Sequence, residues 1–362
     1  MKVKFINLSL EFKLLEKKLI NNFKRIGRKG EYVFGPDVEE FEKNISKFLD
    51  VKYSIVVSSW TIGALLIYKA LGLKANDEVI TVSNSFIATA NTLSFLGIKP
   101  IFCDINLSDG NINTKEISKL ITKKTKAIMP VHIAGIPCDI IKIKEISKKF
   151  NLHLIEDAAQ AFGAKFQNKY VGTFGDINCF SLHPLKNFHV YGDGGIITTN
   201  SKKYFNQIKL LQNHGLKNRD QSIIYGINSR LDTIQASFGN YKLDFIEKWN
   251  SKHLQIAKMY DKFLTDKVIK PFYKKNTQPI FHNYIIRVKK RKKLIDFLIK
   301  NGIETKIHYP NAIHQHPIYK NKIYKLENTE IYSSSGLSLP IYHSLKKTEI
   351  HYIIKKINQF YG

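Results

Sequence analysis

The sequence predicts an α/β protein: a large domain with a mainly parallel sheet between helices, then a smaller C-terminal α/β domain. Three observations carry this. Short apolar runs alternate with helical patterns through the first two-thirds of the chain. That alternation stops after residue 228. The 362 residues also exceed the size at which a single hydrophobic core stops growing. The boundary is placed at 240, giving domains 1–240 and 241–362.

The elements follow in order. Ser54–Ser58 reads as a strand, followed by a helix over 61–72. Glu78–Val82 is a strand and 86–97 a helix. Lys99–Asp104 is the next strand, with a helix near 114–122. Ala127–Val131 leads to a helix over 139–150 and a strand over 152–156. Ile177–Ser181 is strand-like. Strands spaced this way by helices make a parallel sheet covered on both faces, and ligands gather at the carboxyl ends of such strands. Asp104 and Asp157 both stand at such ends. Beyond residue 228, apolar spacing over 230–265 predicts one long helix or two in succession. A strand over Tyr284–Val288, a helix near 291–300 and a closing helix near 347–360 complete the smaller unit.

Composition narrows the function. With 43% hydrophobic and 12% aromatic residues the chain buries a sizeable core. Three scattered cysteines, Cys103, Cys138 and Cys179, supply neither a disulfide framework nor a metal site and suit a reducing cytoplasm. No stretch is long and apolar enough to cross a bilayer, and residues 1–30 lack the pattern of a signal peptide. The formal charge of +27 raises the question of nucleic acid. Its lysines are dispersed along helical faces rather than clustered, so the expectation is no nucleic-acid partner and a field that favours anionic substrates.

Particular residues point to chemistry. Lys186 lies in Cys179-Phe180-Ser181-Leu182-His183-Pro184-Leu185-Lys186-Asn187, before the turn Tyr191-Gly192-Asp193-Gly194-Gly195. An apolar strand ends at Glu156-Asp157, and Ala158-Ala159-Gln160 follows. A lysine amine forms a Schiff base with an aldehyde, and a buried aspartate holds a pyridinium proton. Those are the two groups that pyridoxal phosphate (PLP) chemistry requires. Each residue also has a plainer reading. Asp157 with Gln160 fits a helix cap and capping box. Ser59 or Thr61, in Ser58-Ser59-Trp60-Thr61-Ile62-Gly63, fits either a helix cap or an anion site at a helix N-terminus. Phe86 fits a ring-stacking aromatic or ordinary core.

Taken together, Ile155 to Gly195 resembles the signature of the DegT/DnrJ/EryC1/StrS family of PLP-dependent sugar aminotransferases. Further blocks match in order: Gly35-Pro36-Asp37-Val38, Asp77-Glu78-Val79-Ile80, Asn228-Ser229-Arg230-Leu231-Asp232, His308-Tyr309-Pro310 and Leu337-Ser338-Leu339-Pro340. The resemblance implies the PLP transferase fold type I, like aspartate aminotransferase. It implies that Lys186 carries the cofactor and shuttles a proton, and that Asp157 keeps the pyridine nitrogen protonated. Gln160 would lie near the ring's phenolic oxygen and Phe86 on the ring. The Trp60-Thr61-Ile62 turn and Ser181 would hold the phosphate. Asn228 would reach the phosphate of a neighbouring subunit, making a homodimer with shared sites. His183, Lys217, His308, Tyr309 and Arg230 would face the sugar and its diphosphate.

Trp60 departs from the family, which has glycine there; a turn needing positive φ would strain it. The blocks around Asn228 and Tyr191 are more similar to members that aminate C3 of a dTDP-3-keto-6-deoxyhexose with L-glutamate, in amino-sugar synthesis for surface glycans. The 4-keto, C4-aminating members are the first alternative. A C3-dehydrating offshoot replaces the lysine with histidine, which Lys186 argues against. A non-catalytic binding or regulatory protein on the same fold is the alternative of another class.

Overall fold

Seven strands that the sequence makes β-branched and apolar assemble one sheet in a computed structural model that describes residues 1–320 and 324–362. They are β1 (Tyr53–Val57), β2 (Glu78–Val82), β3 (Lys99–Cys103), β4 (Thr125–Ile128), β5 (His153–Asp157), β6 (Ile177–Ser181) and β7 (Gly195–Thr199). Their order across the sheet is β1-β7-β6-β5-β4-β2-β3. Only β7 runs antiparallel to its neighbours; every other pairing is parallel.

Alternate residues of each strand face opposite cores, as the pleat requires. Ile55, Val57, Val79, Ala127, Ile155 and Ile197 pack on one side beneath the helix Trp60–Ala70. Ile80, Val82, Ile128 and Leu154 pack on the other. Parallel strands covered on both faces place their carboxyl ends along one rim, and the candidate site is built there.

The C-terminal unit is organised around a two-stranded antiparallel pair, β8 (Tyr284–Arg287) with β9 (Gly336–Leu339). Helices Ile246–Phe263, Arg291–Lys300 and Lys347–Tyr361 cover it. The core holds Tyr260, Tyr284, Leu298, Leu337 and Ile353, together with Val3 from the other end of the chain. The helix Ile246–Phe263 joins the two cores, with Trp249 in one and Tyr260 in the other.

The structure departs from the sequence reading at several points. Residues 230–265 form two helices, Thr233–Leu243 and Ile246–Phe263. The expected helix near 114–122 is one α turn, Thr114–Ile117, followed by a 3-10 turn. The strand expected over 127–131 has its ladder at Thr125–Ile128. Pro130 has no N–H to donate, and Val131 makes only an isolated bridge to Asp157. Two N-terminal helices, α1 (Leu8–Lys29) and α2 (Pro36–Leu49), and strand β7 are new. No helix among the described residues is long and apolar enough to cross a membrane.

Candidate active site

A cavity of about 520 Å³ opens at the carboxyl rim of the sheet. Four sheet segments wall it: Ser59–Thr61 after β1, Ser85–Thr89 after β2, Asp157 to Gln160 after β5, and Ser181 to Lys186 after β6. The C-terminal unit supplies Asn283, Lys306, His308 and Tyr309.

Asp157 ends β5 and is 2% exposed. Its Oδ2 accepts from the Thr89 hydroxyl at 3.0 Å and its Oδ1 from the Ala159 amide at 3.1 Å. Burial pushes its pKa up to about 6, against the pull of those two hydrogen bonds and of Lys186. The loop bearing Lys186 is fixed on both sides. The Lys186 amide donates to the His183 carbonyl at 2.8 Å, and the Asn187 side chain donates to the Phe162 carbonyl at 2.8 Å. Burial lowers the Lys186 amine to about 8, while Asp157 works in the other direction. A lysine near neutrality and an acid lacking a contacting cation are what a carbonyl-bearing, pyridine-containing group needs.

The residue before Asp157 behaves differently. Glu156 points to the opposite side of β5 and is fully buried. Its carboxylate lies 3.0 Å from His132 Nε2 and accepts from the amides of Gly172, Phe174 and Gly175. The Cys138 amide donates to His132 Nδ1, so Nε2 carries the proton toward Glu156. Burial works to raise the Glu156 pKa, but His132 and the backbone donors hold it below the ordinary value.

At the other wall, Ser59 caps the helix Trp60–Ala70, labelled α3, by accepting from the Ile62 amide at 3.2 Å. The capping reading of this segment therefore holds, and the Ile62 side chain stands outside the cavity. Trp60 opens α3 and is absent from the positive-φ residues, so the expected strain does not arise. Its indole N–H is buried with no partner. Gly195 packs against this turn: a Cβ there would lie 2.7 Å from the Ser59 carbonyl carbon and 2.9 Å from the Trp60 nitrogen. Glycine is required for strand and helix end to approach so closely.

The other expected residues divide. Gln160 lines the cavity with its side-chain oxygen already accepting from the Ala134 amide at 2.8 Å, so its NH2 is the group it offers. Phe86 is 56% exposed, with its ring 6.0 Å from that of Tyr309. Ser181, His183, His308 and Tyr309 all line the cavity. His308 is tethered through Nδ1 to the Ser338 hydroxyl at 2.8 Å. Burial, then Lys186 and Lys306, push it down to about 4, so it is neutral near pH 7.

Lys217, Asn228 and Arg230 are not brought to this cavity. Lys217 and Asn228 are exposed. Asn228 Oδ1 accepts from Arg230 at 2.8 Å, and the guanidinium lies 5.1 Å over the Phe34 ring. Asp104 also stands away from it, its carboxylate accepting from the Asn328 and Thr329 amides.

Sequence reasoning missed Thr89, His282, Glu304, Lys306 and the N-terminal pair Phe5 and Ile6, all on the cavity wall. Thr89 carried a usable signal, since it stands at the start of a helix that follows a strand end.

Lys186 and Asp157 share one cavity, with a capped helix end at its wall, an arrangement that suits a PLP-dependent enzyme. PLP fits these residues: the buried Asp157 would accept a pyridinium proton, and the Lys186 amine would be the Schiff-base partner. The chain belongs to the DegT/DnrJ/EryC1/StrS aminotransferase family, whose model matches residues 13–358. It is 33% identical to UDP-2-acetamido-2-deoxy-3-oxo-D-glucuronate aminotransferase of Pseudomonas aeruginosa, over 97% of this chain and 98% of that one. It is 32% identical to dTDP-3-amino-3,6-dideoxy-alpha-D-galactopyranose transaminase of Aneurinibacillus thermoaerophilus, over 95% and 96%. Among solved structures, S. venezuelae DesV in complex with a ketimine intermediate superposes with a TM-score of 0.97 at 28% identity, covering 99% of this chain and 98% of that one. The protein is accordingly a nucleotide-sugar aminotransferase of PLP fold type I.

Proposed function

We propose that the protein transfers the amino group of L-glutamate to C3 of a dTDP-linked 3-keto-6-deoxyhexose, for amino-sugar synthesis in the cytoplasm. The observation that carries this is the convergence of Lys186, Asp157, His183 and His308 on one cavity. The resemblance of the Asn228 and Tyr191 blocks to C3-aminating members supports C3, as does the dideoxygalactose transaminase relative.

Bound PLP would supply the electron sink and carry the amino group between the two substrates. Asp157 would hold the ring-nitrogen proton, and the Gln160 NH2 would be available to the phenolic oxygen. Lys186 moves the proton at the reacting carbon. Ser181 and the Thr61 turn would take the phosphate, and Phe86 would cover the ring. Lys306, on the cavity wall, would pair with the substrate diphosphate. Asn228, Arg230 and Lys217 lie on the surface of this chain, where a second copy would receive them. That exposure and the family resemblance support a homodimer with shared sites. The division between the two domains lies near residue 240.

The test is the visible absorbance of the PLP-loaded protein, before and after glutamate, beside Lys186→Ala. The expected result is a Lys186-dependent visible band that glutamate bleaches, with 2-oxoglutarate released. A protein that binds PLP without responding to glutamate overturns the aminotransferase assignment. Turnover of 3-keto against 4-keto nucleotide sugars then decides the position, and preference for the 4-keto sugar replaces C3 with C4.

A further inference from the structure

The first seven residues run along the C-terminal unit before α1 begins. Val3 is fully buried and bridges in parallel to Ile303. Its amide donates to the Gly302 carbonyl at 2.8 Å, and the Glu304 amide returns a bond to the Val3 carbonyl at 3.0 Å. The Phe5 amide donates to Glu304 Oε2 at 3.0 Å. The Asn7 side chain then caps α1, which packs through Leu15 and Leu19 into the core of the large domain. The segment is thus tied to both units.

The ties fix where its side chains stand. The Phe5 ring is 5.8 Å from that of His308, tilted by 34°. His308 continues to Tyr309 at 5.5 Å, and Tyr309 to Phe86 at 6.0 Å. An aromatic run therefore crosses the cavity wall from Phe86 to Phe5. Ile6 and Ile341 share this cavity with Phe5 and Lys186, and both also border a smaller cavity of about 30 Å³ that touches Lys186. Phe5, Ile6 and Ile341 thus give the larger cavity an apolar corner on the side of Lys186, next to the Glu304 carboxylate that the Phe5 amide anchors, while Glu11 and four histidines line the smaller cavity.

We propose that Phe5, Ile6 and Ile341 receive the C6 methyl of the sugar and make the enzyme select 6-deoxy keto-hexoses over their 6-carboxylate counterparts. This rests on the nucleotide-sugar reading above. A methyl group in this corner leaves water for apolar contact. A carboxylate there loses its hydration against three hydrophobic side chains and faces Glu304, which costs binding twice. Lys306 lines the same cavity, so a uronate that pairs with it is the rival outcome.

The experiment uses the full-length PLP-loaded protein and two nucleotide-linked keto-sugars, one 6-deoxy and one 6-carboxylate. Equilibrium binding is followed by intrinsic fluorescence, and amination with glutamate is measured alongside. The 6-deoxy sugar should bind roughly tenfold or more tighter, in the range one methyl-sized group controls in an apolar pocket. Ile6→Asn and Phe5→Ser should each shrink that ratio several-fold. Equal or tighter binding of the 6-carboxylate sugar overturns the proposal, as does a ratio unmoved in both variants. Preferential binding without amination breaks the catalytic reading and leaves the C6 selection standing. Amination of both sugars alike breaks the selection alone, and a protein that binds neither overturns both.

Discussion

Lys242 is buried and Lys186 half-buried, each near a buried acid, and only the Lys186 pair belongs to the cavity. Lys242 is fully buried, with Nζ 2.7 Å from Glu11 Oε1 and 4.7 Å from the centre of the Tyr191 ring. His189 Nε2 stands 3.0 Å from the same carboxylate, and His343 Nδ1 stands 3.9 Å from its other oxygen. Burial lowers Lys242 to about 8, against the pull of Glu11, and burial lowers Lys186 to about 8 as well. The two amines are therefore lowered alike.

The acids differ. Burial works to raise Glu11, but contact with His189 and Lys242 holds it well below the carboxylate range. Asp157 has a hydroxyl and an amide as partners and rises to about 6. One acid is in contact with a cation of its own chain; the other, with Lys186 only at a distance, has no cation in contact. A buried lysine alone does not mark a functional site, whereas an acid without its counter-charge does.

The largest test of that contrast is Asp157→Asn. It should lower transamination on the order of 10²- to 10³-fold, the usual loss when a preorganised electrostatic partner is removed. The fold should survive, which circular dichroism checks. Glu11→Gln should do the reverse, leaving the glutamate-responsive band in place and costing stability of roughly 3–5 kcal/mol by urea unfolding, because Lys242 is then buried unpaired. The double substitution Glu11→Leu with Lys242→Met should recover most of that loss. Equal damage to stability from Asp157→Asn and Glu11→Gln would break the comparison.

Opposite signs in pH dependence sharpen it further. For Asp157 the folded pKa of about 6 lies above the unfolded value of 3.8, so the folded state holds the extra proton between them. Stability of the cofactor-free protein should then fall as pH rises from about 4 to about 6, by up to about 3 kcal/mol from this group. Asp157→Asn should flatten that slope in urea titrations. Glu11, with a folded pKa below its unfolded 4.5, contributes stability that is present above that value and lost as pH falls below it. The smallest effect belongs to Trp60. Trp60→Phe removes a buried N–H that has no partner along with some packing, and should change stability by no more than about 1 kcal/mol. Thermal unfolding measures it.

The cavity pair was legible because local sequence marks it. A strand that ends in an acid and a Pro- and Asn-flanked lysine before a glycine turn are both short-range patterns. The Glu11 cluster was not, since it joins α1, the loop after Lys186, the helix Thr233–Leu243 and the C-terminal segment. Lys242 follows helical spacing and reads as one more surface lysine. The parallel strands were found from their apolar runs, but β7 was hidden behind the glycines that precede it. Phe5 and Ile6 gave no periodic signal; the bonds to Gly302 and Glu304 that position them span some three hundred residues. Asn228, Arg230 and Lys217 could be named only through the family resemblance, because their placement on one chain shows no site.

Gly195 carries a mechanical consequence. It is in register with Val57 on one side and with Ser181 on the other, and its missing side chain is the clearance beneath Ser59. Neither half of this wall can therefore be adjusted alone. A methyl at this point would lift the start of α3, displacing Thr61, or drive β7 sideways, displacing Ser181. The wall behaves as a linkage with a single pivot, and its spacing is inherited from the sheet rather than tuned by the loops that line it.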